Sequence, residues 1–263
     1  PLLIAGDNIW LATSSDVRLF NGKTWRVFSA TEIGIKLPFK VGVEPNFILA
    51  HNSLTGEIWA AACYWQGDQW VGGSSPYQFD GKRWYKIEFP IENVCVTQLT
   101  FDKNGNGYLT TPTTVWKYNG KNWNEINLPV FQEMPKNSTF RIIQFALGSF
   151  ENPWISVELT KENGIPDQFQ IFQYKDTKFI KVSTLEGIST PVLFLTAQNS
   201  AIFFNNKKVF QTTPAGIKLI SDKYFELIIQ DQNGNIWLIS DTKSRPLLWS
   251  LVENQNFIEA ANQ

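Results

Sequence analysis

The sequence predicts an all-β protein: a β-propeller of six four-stranded antiparallel blades, or seven if flanking sequence contributes another. Three observations carry this expectation. A hexapeptide of the form aromatic, Asn or Asp, Gly, Lys, any residue, Trp occurs at Phe20–Trp25, Phe79–Trp84 and Tyr118–Trp123. A second unit, a polar turn followed by an aromatic that opens an apolar run, recurs out of phase with the first. Its aromatics stand at 10, 59, 108, 154, 203 and 237, in steps of 49, 49, 46, 49 and 34 that average about 45 residues. A period of about 40–50 residues containing two hairpin turns leaves room for four short strands, which describes a propeller blade.

The first blade opens its second strand at Trp10 and turns at Asn21-Gly22. Blade two reads as strands Phe47–Ala50, Glu57–Cys63, Tyr77–Phe79 and Trp84–Ile87. In blade three Asp102-Lys103-Asn104-Gly105-Asn106 leads to Tyr108, Trp116 lies in the third strand, and the turn falls at Asn119-Gly120. Blade four opens its second strand at Trp154 and carries a weak hexapeptide copy, Tyr174–Phe179. Blade five, around 193–220, is the most degenerate. Blade six restores the second unit at Gln230–Leu238, places Trp249 in its third strand, and ends in another weak copy, Val252–Phe257. Asn-Gly and Asp-Gly suit the two positive φ angles of a type I′ hairpin turn, and the flanking aromatics suit strands. No stretch shows sustained helical periodicity. Because a blade buries its faces on its neighbours, residues 1–263 are expected to form a single domain.

Composition narrows function by exclusion. With 23 Lys and Arg against 24 Asp and Glu, the net charge is −1, without the basic excess typical of a nucleic-acid binder. One His and two Cys cannot build a multi-ligand zinc site, so neither metal nor cofactor is expected. No apolar run reaches the roughly 20 residues of a membrane-spanning helix. Cys63 and Cys95 lie in apolar strand-like stretches and read as two buried free thiols. The chain opens at Pro1 without a leader-like segment, as a processed chain or a domain of a longer protein would.

The two motifs together resemble the two-component regulator propeller repeats of bacterial sensors. That resemblance implies an extracytoplasmic, periplasmic or secreted, sensor-type module. Its repeat residues are scaffold, and it carries no shared catalytic set. Signalling domains would lie outside this chain, which contains nothing like a kinase or receiver. Streptogramin-lyase-like propellers are similar in blade sequence, but their chemistry relies on histidine and the chain has only His51.

Asp102 and Asp231 begin stretches that mimic a calcium-binding loop, yet the twelfth positions are Thr113 and Thr242 rather than Glu, so both read as turns. His51 reads as structural, since no nucleophile elbow accompanies it. A glycosidase-type or lyase-type enzyme using paired carboxylates is the rival reading, with Glu44, Asp68, Glu133, Glu158, Glu162, Asp167 and Glu186 as candidates. A structural or assembly propeller is the third. The leading reading is a non-catalytic module that binds a small molecule, glycan or protein through the face opposite the repeated turns. There the long connections 29–46, 127–140 and 158–168 join an insertion in blade two, residues 64–76. Tyr64, Trp65, Asp68, Gln69, Trp70 and Tyr77 are the candidate ligand-binding residues, offering flat aromatic area with polar edges. Nine of the 11 tryptophans fall in repeat positions, which leaves Trp65 and Trp70 without a scaffold role.

Overall fold

Short runs of β-branched and aromatic residues, broken by glycine turns, pair with their sequence neighbours into antiparallel meanders. The computed structural model describes residues 1–36, 42–67, 69–129, 138–147, 152–161, 166–186, 192–195, 201–205, 208–213, 216–221, 227–230, 236–242, 245–251 and 257–259. The chain divides into two units, Pro1–Asn127 and Leu128–Gln263.

In the first unit, β1 (Leu2–Ala5), β2 (Asn8–Ala12), β3 (Asp16–Phe20) and β4 (Trp25–Ser29) form one sheet in that order. A single helical turn, α1 (Ala30–Ile33), follows. The Ser29 hydroxyl caps it by accepting the Glu32 N–H, and Gly34 ends it at φ 98°. The second sheet contains β5 (Val43–Asn52), β6 (Glu57–Gln66), β8 (Tyr77–Phe79) and β9 (Trp84–Lys86), with β7 (Gln69–Gly73) paired to the far end of β6. The third contains β10 (Gln98–Phe101), β11 (Gly107–Thr110), β12 (Val115–Tyr118) and β13 (Trp123–Ile126).

The second unit repeats the pattern three times among the described residues. Its sheets are β14 (Thr139–Leu147) to β17 (Lys178–Glu186), β18 (Val192–Leu195) to β21 (Gly216–Ser221), and β22 (Leu227–Gln230) to β25 (Phe257–Glu259). Between them run β15 (Pro153–Thr160), β16 (Pro166–Lys175), β19 (Ala201–Asn205), β20 (Lys208–Thr213), β23 (Ile236–Thr242) and β24 (Arg245–Leu251). Trp154, at the start of β15, is buried with Ile171 against Val182, Leu185 and Phe210.

Packing inside the first unit explains why the two sequence repeats run out of phase. Trp10 of β2 lies 5.4 Å from the Phe79 ring and 6.2 Å from the Trp84 ring, both edge-on. Trp59 of β6 repeats this one sheet later, 5.4 Å from Tyr118, 6.4 Å from Trp123 and 5.0 Å from Phe101. The aromatic that opens one sheet's second strand therefore enters the aromatic pair flanking the next sheet's glycine turn. Such edge-to-face pairs add about 0.5–1.5 kcal/mol each beyond area burial.

The three strong turns differ from the expected type I′. Positive φ is confined to the glycine, 85° at Gly22, 95° at Gly81 and 89° at Gly120, where type I′ needs two successive positive values. The preceding side chain supplies the missing acceptor. Asn21 Oδ1 takes the N–H groups of Lys23 and Thr24, Asp80 Oδ1 those of Lys82 and Arg83, and Asn119 Oδ1 those of Lys121 and Asn122. The type I′ pattern occurs instead at the weak copy, where Asp176 and Thr177 stand at φ 49° and 72°.

Two further expectations are corrected. Cys63 and Cys95 are not free thiols; they form a disulfide across a sequence separation of 32. Cys63 lies on the same face of β6 as Trp59 and Ala61, toward the connection whose Val94 and Val96 join that core and flank Cys95, and both cysteines are buried. The long connections are also shorter than expected. Part of 29–46 is α1 and the start of β5, and both ends of 158–168 belong to the hairpin of β15 and β16.

Candidate functional site

Side chains alternate along β6, and this decides what its far end can present. Ile58, Ala62 and Tyr64 join the core shared with the first sheet. Trp59 and Ala61 join the core shared with the third. Tyr64 and Trp65 therefore leave the strand on opposite faces. The insertion expected as a loop continues the strand and returns as β7, with Tyr64 opposite Gly72, Trp65 opposite Trp70, and a bulge between the two pairs. Trp65 and Trp70 share one face of this ribbon, and Trp70 and Val71 are 50% and 46% exposed.

Tyr64 and Tyr77 line a pocket of about 260 Å³ on the other face. Both phenols are fixed by main-chain acceptors: Tyr64 donates to the Lys36 carbonyl at 2.8 Å and Tyr77 to the Gly34 carbonyl at 2.7 Å. The helical turn α1 thus positions the rings from below. Gly34 is needed twice, for its positive φ and because a Cβ there would stand 2.7 Å from Tyr77 Cε1. Burial, and secondarily the neighbouring Tyr77, pushes the Tyr64 hydroxyl up to about 12. Burial also raises Tyr77. Both phenols stay neutral near pH 7, with their protons committed and only oxygen lone pairs on offer.

Ser74 and Ser75 form the pocket's inner wall. The Ser74 hydroxyl accepts the Ala62 N–H at 2.9 Å, and the Ser74 N–H donates to the Ala62 carbonyl at 2.9 Å. Gly73 lets the wall close, since a Cβ there would lie 2.0 Å from the Val94 carbonyl oxygen. Ser75 is only 8% exposed, and its hydroxyl has no protein partner among the described residues. At the rim stand Lys36, Lys86 and Glu92, all exposed and outside any ion pair among the described residues. Lys86 lies directly across the ladder from Tyr77.

The six predicted residues are thus divided. Tyr64 and Tyr77 converge on the pocket, Trp65 and Trp70 pair on the opposite face of the ribbon, and Gln69 is exposed at its tip. Asp68 lies outside the described residues. Sequence reasoning missed Ser74, Ser75 and the rim charges, because Ser-Ser-Pro reads as linker until β7 is known to pair with β6.

The other candidates are structural or fall elsewhere. Asp102 Oδ1 accepts the Asn104 and Asn106 N–H groups at 3.0 and 2.8 Å, so its carboxylate holds the turn, as expected. Asp231, Glu133 and Glu162 lie outside the described residues, as do the side chains of Asp167 and Glu186. Glu158 is buried and ion-paired with Arg141 at 3.1 Å across β14 and β15. Glu44 stands opposite Trp65 in the ladder of β5 and β6. His51 borders a separate hollow of about 450 Å³ at the turn end of the first two sheets, and it is the hollow's titratable residue. Among the described residues no cluster of metal-ligating side chains occurs, and no helix is long and apolar enough to cross a membrane.

No family model matches the chain, and neither does any curated protein sequence. Solved structures do match. Virginiamycin B lyase from Staphylococcus aureus is 14% identical, with a TM-score of 0.61 over 100% of this chain and 83% of that one. The fold is of the β-propeller type. The extracellular domain of a putative hybrid two-component system from B. thetaiotaomicron is also similar, at 15% identity and a TM-score of 0.52 over 90% of this chain. A third is PorZ, a surface component of the type-IX secretion system of Porphyromonas gingivalis, at 10% identity and a TM-score of 0.55 over 100% of this chain. This chain spans 31% of the two-component structure and 41% of PorZ.

Proposed function

We propose that this propeller is a non-catalytic, extracytoplasmic binding module of the two-component regulator propeller type, and that its ligand is a small molecule or glycan held between Tyr64 and Tyr77. One observation carries the reading: Ser75, only 8% exposed as a residue and with no protein partner for its hydroxyl among the described residues, lines a pocket whose aromatic walls are already fixed. A ligand that hydrogen-bonds this hydroxyl exchanges a water contact for a direct one, worth about 0.5–1.5 kcal/mol net. The buried disulfide supports an oxidising compartment. The extracellular domain of a putative hybrid two-component system among the similar structures supports the same setting, and signal output would come from domains outside this chain.

The chemistry at the pocket favours binding over turnover. Its phenols are neutral with committed protons, and the single histidine borders the other hollow. Half-buried Trp65 and exposed Trp70 pair on the opposite face of the ribbon and offer a second contact surface for a protein partner.

A thermal-shift screen of sugars and metabolites tests the reading, followed by titration of any hit against Ser75→Ala and Tyr77→Leu. The expected result is stabilisation of the wild type and at least tenfold weaker binding by both variants, with Trp70→Ala unchanged. Binding indifferent to both pocket variants would sink it.

A further inference from the structure

Resting on that pocket, we infer that its ligand is a zwitterion of amino-acid or dipeptide size, its ammonium held by Glu92 and its carboxylate by Lys86 and Lys36. The charge inventory leads there. Lys86 and Glu92 border the same 260 Å³ space without pairing with each other or with any described group. An entering ligand meets both signs at the exposed rim. A neutral ligand can make only neutral-to-charged hydrogen bonds to these groups, and a ligand of one sign meets a like charge as well as an opposite one. A molecule bearing both charges matches both.

Size and the remaining donors agree. The pocket falls below the roughly 300–1,000 Å³ of drug-sized sites, so its occupant is small. The Ser75 hydroxyl can donate to a carboxylate oxygen, while the phenol oxygens of Tyr64 and Tyr77, whose protons are engaged, can only accept, as an ammonium requires.

Isothermal titration of the full chain tests this with L-alanine and L-alanyl-L-alanine, their N-acetyl and C-terminal amide derivatives, and D-glucose and maltose. The expected result is binding by one or both zwitterions, and at least tenfold weaker binding after either charge is removed. Glu92→Gln should weaken the parent compound while leaving its N-acetyl derivative unchanged, and Lys86→Met should spare the amide in the same way. Both side chains are exposed, so the variants should keep wild-type melting curves. If the capped derivatives or a neutral sugar bind as well as the zwitterions, and Ser75→Ala still weakens them, the zwitterion inference fails and the pocket reading stands. If no compound in either panel binds, both fail.

Discussion

Removing the Cys63–Cys95 link should destabilise the protein by an amount its position in the chain sets. The link closes a loop of 32 residues, for which chain entropy gives about 3.7 kcal/mol of stabilisation at 25 °C. The expected change in melting temperature depends on how much of the chain unfolds with it. At about 2.1 cal/mol/K per residue, the unit Pro1–Asn127 has an unfolding entropy of about 0.27 kcal/mol/K and would lose about 14 °C. If all 263 residues unfold together as one domain, the entropy is about 0.55 kcal/mol/K and the loss about 7 °C. Calorimetry of the wild type against Cys63→Ala/Cys95→Ala, each with and without a phosphine reductant, distinguishes the two. Alanine is used so that no hydroxyl is buried at positions 0% and 2% exposed. Two titratable thiols in denaturant without reductant, or a double variant that melts with the wild type, would refute the reasoning.

Trp59→Ala, at a site 1% exposed and wedged into the next sheet's aromatic pair, should cost about 3–5 kcal/mol in urea unfolding. Trp25→Ala, at 53% exposure, should cost far less, and equal losses would break the interlock argument. The Arg83 and then the Lys82 N–H hold the Asp80 carboxyl at about 2, below its ordinary 3.8. Its contribution is therefore complete above the unfolded value and disappears as pH falls through about 2. NMR titration should find that midpoint, and Asp80→Asn, matching Asn21 and Asn119, should keep the turn while losing the pH dependence. Thr177, a β-branched residue at φ 72°, should gain about 1 kcal/mol of stability on replacement by glycine, read as a higher urea midpoint. A lower midpoint would mean that the left-handed backbone there is not strained.

How much of this was legible in the sequence depended on whether a signal was local. Gly22, Gly81 and Gly120 mark turns by themselves, and Trp10, Trp59 and Trp154 mark second strands, so strand order and blade period followed directly. The turn type did not, because Asn21, Asp80 and Asn119 hold the turn through side-chain acceptors, and the Asn-Gly and Asp-Gly pairs alone do not reveal that. The disulfide was hidden because Cys63 and Cys95 are neighbours only once β6 is known to face the returning connection. The site was half legible for a related reason. Tyr64 and Trp65 are adjacent in sequence, so they read as one aromatic cluster, but β6 continues through them and strand alternation sends them to different faces.

The interlocks within the first unit carry a consequence for dissection. The first bridges residues 10 to 84 and the second 59 to 123, so they overlap. Every peptide bond between positions 10 and 123 is spanned by at least one of them, and those between 59 and 84 by both. A proteolytic nick in an exposed turn such as Asn21-Gly22 would leave two fragments still clasped through buried tryptophan. Transplanting a single sheet would instead separate a donor ring from its acceptor pair wherever the cut fell. The repeats can be counted singly, but within this unit no single repeat can be exchanged without breaking into the next.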